Sequence, residues 1–243
     1  MGTILNGFKE ALLLIVSFDP EFYRVLFLSL AVSGTAALIG AAIGIPIGVA
    51  LSEFSFRGRN AALTMVHAFM GLPPVVVGLF TFLVIARSGP LGFLELVYTP
   101  TAMVIVQVIL ATPIVAGFTH ASMRGVDPRL GLQAMSLGAT RLQAVLVKMR
   151  EARAGLVAAL IAGLGRVLAE VGAVMIVGGN IKGYTRVLTT DIVLQTRQGQ
   201  YEYAIAEGLV LILVAVLVNA MLTRLQADKG REEVEKRVTG YPA

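Results

Sequence analysis

The sequence predicts an all-α integral membrane protein, with about five transmembrane helices, an N-terminal interfacial helix and a cytoplasmic helix-turn-helix. Three observations predict it. Of 243 residues, 56% are hydrophobic and only 14% charged, against about 25% charged in an ordinary soluble domain. Mean hydropathy is +0.81. Five segments, at 24–52, 61–86, 100–118, 154–177 and 203–223, are long and apolar enough to cross a hydrocarbon core of about 30 Å. The whole chain, 1–243, reads as one transmembrane domain. Its parts are an N-terminal interfacial segment (1–23), a bundle (24–223) containing a cytoplasmic loop (126–150), and a cytoplasmic tail (224–243).

In the first segment, Ile4, Leu5, Phe8, Leu12 and Ile15 fall at helical spacing. Lys9 and Glu10 interrupt any signal peptide, and the apolar run at 11–16 is too short to span. It is either an amphipathic helix in the interface or a helix packed on the side of the bundle.

Asp19-Pro20 signals the start of the first spanning helix, and Thr99-Pro100 that of the third. Within the first, Ala36, Gly40, Gly44 and Gly48 recur every fourth residue. Such a stripe lets a second backbone approach closely, within this chain or across a dimer face. Pro46 is a candidate kink. In the second, Pro73-Pro74 removes two backbone donors, so freed carbonyls need partners or a wet cavity. A broken helix beside a pathway and a simple kink both fit.

The loop at 126–150 carries the most information. Asp127 caps a helix beginning at Pro128. Leu130, Gln133, Ala134 and Leu137 continue it, and Gly138 ends it in a left-handed turn. Thr140 with Gln143 then forms a capping box for a second helix opening on Arg141. The pair is apolar on one face and needs a partner, whether a protein or lipid headgroups.

The fourth span holds Arg166 and Glu170, four residues apart and so on one helix face. Each alone would cost about 2.5–3.5 kcal/mol at the bilayer centre. A structural ion pair and a pathway role both fit. The segment at 179–201 is polar and basic, with Lys182, Arg186 and Arg197. It either contacts an outside partner or merely connects two spans. The tail mixes charge signs from Asp228 onward and reads as a solvated helix or disorder.

Net charge is +5 and the pI about 9.7, but the basic residues lie mainly between apolar runs. They report topology rather than nucleic-acid binding. One set of connections, with the tail, holds thirteen Lys and Arg and the other six, placing the N-terminus outside and the C-terminus in the cytoplasm. There is no cysteine, and His67 and His120 are far apart, so no metal site is expected. No GxxxxGK[ST] loop occurs, so the chain lacks the usual ATP cradle.

The run Gln133-Ala-Met-Ser-Leu-Gly-Ala139 resembles the EAA loop of permeases from ABC importers. Ala134, Gly138 and Ala139 match. Gln133 stands in place of the acid, and Glu151 where many members have proline. Gly71-Leu-Pro-Pro-Val-Val-Val-Gly78, Arg166 with Glu170-Val-Gly-Ala, and Gly178-Gly-Asn180 resemble molybdate and tungstate permeases. The run from Val177 to Thr190 is closer to the tungstate branch.

The resemblance implies a permease subunit with no catalytic residue, in the plasma membrane of a prokaryote. Two ATPase subunits would hold the ATP and Mg, and dock on Asp127, Gln133, Ala134, Leu137, Gly138, Ala139, Thr140 and Arg141. A permease homodimer would enclose the path, and an extracytoplasmic binding protein would deliver the oxyanion. Arg166, Glu170, Pro73 and Pro74 are the ion-pair or pathway candidates. Ser33, Thr35, Thr81 and Thr112 could offer hydroxyls. An ion-coupled secondary anion transporter is the alternative. It would require several intramembrane acids and pseudo-symmetric halves; the sequence shows one clearly central acid, Glu170, and no repeat.

Overall fold

The computed structural model describes residues 2–239, excepting the side chains of Leu222 and 225–239. All regular structure among them is helical: α1 (Gly2–Val16), α2 (Pro20–Glu53), α3 (Arg59–Met70), α4 (Pro74–Ile85), α5 (Pro100–Arg124), α6 (Pro128–Ser136), α7 (Arg141–Glu151), α8 (Arg153–Leu168), α9 (Gly172–Gly178), α10 (Leu188–Arg197) and α11 (Tyr201–Thr239). A 3-10 turn at Gly92–Leu94 lies between α4 and α5.

The predicted starts form as their side chains dictate. Asp19 Oδ1 accepts the Phe22 N–H at 2.8 Å, and Thr99 Oγ1 accepts that of Ala102 at 3.3 Å. In each case proline takes the first helical position, where no N–H is needed.

Three helices are long and apolar enough to cross alone: α2, α5 and residues 201–221 of α11. The other two expected spans are bent pairs. α3 and α4 meet at 102°, and α8 and α9 at 60°. Pro73 and Pro74 explain the first bend, since neither can extend the ladder of α3. Each arm has 12 residues, about 18 Å of helix, too short to cross by itself. The expectation of about five transmembrane helices, with a break or kink at Pro73-Pro74, corresponds to three helices long enough to span alone and two bent pairs, five spans if each pair crosses as one.

α2 and α5 form the central seam. A Cβ on Gly44 would lie 2.8 Å from the Thr112 carbonyl oxygen, and one on Gly48 2.5 Å from that of Ala116. The glycine stripe therefore packs within the chain, and Pro46 leaves α2 one continuous helix. Around α5, Met103, Val106 and Leu110 pack with Val32 of α2 and Val174 and Val177 of α9.

α1 lies along α11. Gly7 abuts Ile205, and Ala11 and Leu14 join Phe22, Val25, Ala206 and Val210 in one cluster. The stripe Ile4, Leu5, Phe8, Leu12 and Ile15 is exposed on the opposite side. Packing on the bundle is thus the outcome for the small-residue face, while the predicted apolar face remains available to lipid. The backbone of α11 continues helical through Thr239, which includes most of the expected tail; residues 240–243 lie outside the described residues.

Candidate functional site

The candidate residues fall in two regions: the helix pair at one end and the helix breaks within the bundle. In the pair, Asp127 Oδ1 accepts the Arg129 N–H at 2.8 Å. Gly138 takes φ of 92°, a left-handed conformation that favours glycine. The Thr140 hydroxyl accepts the Gln143 N–H, and Gln143 Oε1 accepts the Thr140 N–H at 2.8 Å. Both orphan donors at this start are satisfied reciprocally.

The turn divides the apolar residues. Leu130, inside α6, packs with Val49, Met123, Val126 and Val145 and anchors the pair to the bundle. Leu137, beyond the end of α6, is 89% exposed. Leu132, Leu142 and Leu146 are exposed with it. A cleft of about 500 Å³ beside them is lined by Leu137, Gly138, Gln143, Leu146 and Arg150. Gln133 and Arg141 are exposed, and Ala134 and Ala139 half-buried. Leu132, Leu142 and Leu146 were absent from the sequence-based set because helical spacing marks them as apolar without saying which way they face.

A second missed feature is the ion pair between Lys148 of α7 and Glu53 at the end of α2, with Nζ–O distances of 2.5 and 2.7 Å. Both partners are largely buried. Only Ala152 separates α7 from α8, so the pair is tied to both α2 and α8.

α8 leads directly to the break. Glu170 lies just past its end rather than within it, yet the predicted ion pair forms, with Arg166 Nη1 3.0 Å from Glu170 Oε2. The other carboxylate oxygen accepts the Ala173 N–H of α9 at 3.0 Å. Gln107 of α5 donates to the Val167 carbonyl at 3.1 Å, and Thr189 to that of Glu170 at 2.9 Å. The bend is thus satisfied from three directions, as a break in apolar surroundings requires. Glu170 is buried, while the Arg166 side chain is 30% exposed.

The two breaks meet. A Cβ on Gly172 would lie 2.7 Å from Val75, the residue after Pro74, and one on Gly78 2.7 Å from the Ala173 backbone. All four ion-pair or pathway candidates therefore belong to one region. Of the hydroxyl candidates, Ser33 and Thr81 are buried, Thr35 is exposed, and Thr112 donates within its own helix to Val108.

The segment after α9 is built into the bundle. Thr190 and Asn180 exchange hydrogen bonds at 2.9 and 3.3 Å, and Ser29 of α2 accepts the Leu188 N–H at 2.8 Å. Lys182 pairs with Glu21 at 2.7 Å, and Arg186 approaches Asp191 at 3.8 Å. The first turn of α10 is buried. Asp191 and Glu207 are buried acids, and Glu207 lies in the apolar stretch 201–221, where hydropathy averages concealed it, so Glu170 is not the one acid in an apolar segment. No group of three or more metal-ligating side chains occurs among the described residues.

Comparison with known proteins separates the two transporter readings. Residues 40–230 match the family described as binding-protein-dependent transport system inner membrane component. The chain is 42% identical over 228 residues to the tungstate uptake system permease protein TupB of Peptoclostridium acidaminophilum, covering 94% of this chain and 100% of that one. It is 41% identical over 203 residues to a probable anion ABC transporter permease of Haloferax volcanii, covering 82% and 88%. A chain of the bacterial alginate ABC transporter, solved in complex with an alginate-bound periplasmic protein, superposes with a TM-score of 0.72 at 20% identity, covering 88% of this chain and 81% of that one. At that identity the likeness concerns the fold alone.

Proposed function

Because the chain belongs to the family of binding-protein-dependent transport system inner membrane components, we propose that the cargo of this ABC-importer permease is tungstate, with molybdate the less favoured oxyanion. The chain is a multi-pass transport subunit; hydrolysis belongs to an ATPase partner, and an extracytoplasmic binding protein delivers the anion. Two permease copies enclose the path and two ATPase copies bind ATP and Mg. The charge asymmetry of the connections supports an N-terminus outside and a C-terminus in the cytoplasm of a prokaryotic plasma membrane.

The observation that carries this reading is the helix pair, capped at both starts and tied to the bundle, with Leu137 held 89% exposed. A side chain that buries nothing in its own chain fits a pocket on another. Motion imposed on α6 and α7 has two routes inward, through Lys148–Glu53 to α2 and through Ala152 to α8 and the Glu170 break. ATP drives the cycle only if its affinity differs between the two permease conformations. At the breaks, one half-exposed guanidinium partly balanced by Glu170 attracts an anion without trapping it.

Affinity isolation of the tagged permease from membranes tests the coupling role. The ATPase should accompany the wild type and be lost from Leu137→Asp, with the melting temperature unchanged. Absence of an ATPase, or its retention by the variant, refutes it. Calorimetry on the cognate binding protein tests the cargo. Tungstate should bind at least about tenfold tighter than molybdate, or about 1.4 kcal/mol, and sulfate more weakly. Equal affinities for the first two would remove the preference for tungstate.

A further inference from the structure

Glu207 is a charged residue type in the middle of an apolar helix, yet it is 0% exposed. No N–H or O–H of the described residues hydrogen-bonds to either of its oxygens. It lies about 9 Å along α11 from Tyr201. α10 packs against α11 and brings Asp191, 4% exposed on its first turn, close to the Glu207 side chain. Asp191 accepts from Gln195 Nε2 at 3.0 Å and lies 3.8 Å from Arg186 Nη1. Gln195 Oε1 and Arg186 Nε are also buried without partners.

Other charged groups on the surrounding elements are engaged elsewhere or lie at the ends of the helices. Asp19 caps α2, and Glu21 pairs with Lys182. Arg24 lies against Gly183, and Glu202 accepts from Asn6. Lys9 is exposed on α1, while Glu10 and the phenol-bearing Tyr203 line an open cleft at the end of α11. Arg166 of α8 is paired with Glu170. Two carboxyls and one guanidinium remain, so the cluster carries one negative charge too many for a buried site. Two facing carboxylates repel, and an uncompensated buried charge is strongly destabilising. One proton removes both problems. It neutralises the excess charge and turns two acceptors into a donor and an acceptor.

We propose that Glu207 and Asp191 form a buried binding site for a single proton, which fastens α10 to α11. The proton comes from solvent and resides on Glu207, whose O–H donates to Asp191, while Asp191 keeps its charge opposite Arg186. Loss of the proton sets like charges face to face and loosens α10 from the last spanning helix. Folded protein then binds one more proton than the unfolded chain over the range where the pair holds it, so stability falls as pH rises there.

Infrared spectroscopy of the full-length permease in its membrane assembly reads this directly. The wild type should show the C=O stretch of a protonated carboxyl, shifting slowly on deuterium exchange, and Glu207→Gln should lack it. Glutamine retains an N–H donor toward Asp191, so this variant should keep its fold, and its melting temperature should lack the fall at alkaline pH expected of the wild type. Glu207→Met is the second variant should Gln fail to accumulate; it too should lack the band. A wild type without the band, or a band that persists in the variants, overturns the assignment. So does a missing band together with a melting temperature raised by sodium, which would place a cation between two ionised carboxylates.

Discussion

Gly48→Ala adds one methyl group to the seam between α2 and α5. That methyl would sit 2.5 Å from the Ala116 carbonyl oxygen and 2.6 Å from Thr119 Cβ. Ordinary contacts lie at about 3.5–4.0 Å, so the helices must separate by roughly 1 Å. The nearest obstacle is backbone and cannot rotate away. Gly44 and Gly40 lie on the same seam, with close approaches of 2.8 Å each, so one separation loosens packing along its length. Such packing, rather than a hydrophobic drive, holds helices together in lipid. Overpacking costs about 1–3 kcal/mol, and the better helix propensity of alanine returns up to about 1 kcal/mol.

We expect a net loss of about 2 kcal/mol. Gly34→Ala is the control in the same helix, since nothing lies within 4 Å of its added methyl; it should gain up to about 1 kcal/mol. Unfolding of the purified permease in a titration of denaturing detergent, with all three proteins in one lipid–detergent mixture, measures both. A Gly48→Ala protein as stable as Gly34→Ala would show that the seam is not close-packed as described and would refute the reasoning.

Other substitutions separate the roles at the breaks and the docking pair. Arg166→Ala leaves the Glu170 carboxylate buried with only the Ala173 N–H, and should cost about 3 kcal/mol, seen as poor assembly. Glu170→Gln keeps an acceptor for that N–H and frees an arginine able to hydrate, so its loss should be about 1–2 kcal/mol. Thermal denaturation of both variants checks the order; an intact Glu170→Gln assembly that alone fails to transport would defeat a purely structural role. Gln107→Leu should stay within about 1 kcal/mol of wild type, because the Val167 carbonyl also accepts the Ala169 and Glu170 N–H groups and an unpartnered oxygen is removed with the amide. A larger drop in the same assay would give Gln107 a holding role. Thr140→Ala removes half the capping box and should cost about 1 kcal/mol, read as faster hydrogen exchange confined to the first turn of α7; unchanged exchange there would contradict it.

The sequence by itself determined the all-helical membrane class, the start of most long elements and the helix–turn–helix. Hydropathy adds up along a chain, and a cap is a side chain meeting a backbone N–H two or three residues away, as at Asp19, Thr99, Asp127 and Thr140. Gly138 was legible because a left-handed turn is a property of one residue. The Arg166–Glu170 pair was legible for the same reason, although the helix ends before Glu170. Tertiary structure alone decided what meets what. It bent two spans and joined their breaks through Val75, Gly172 and Gly78. It seated the glycine stripe on α5 and α1 on α11, and turned Leu130 inward and Leu137 outward. It gathered Arg186, Asp191 and Glu207 from a loop and two helices. A single acid in an apolar helix scarcely lowers a hydropathy average, and no spacing rule links residues on separate elements. Such contacts arise only when packing brings the elements together.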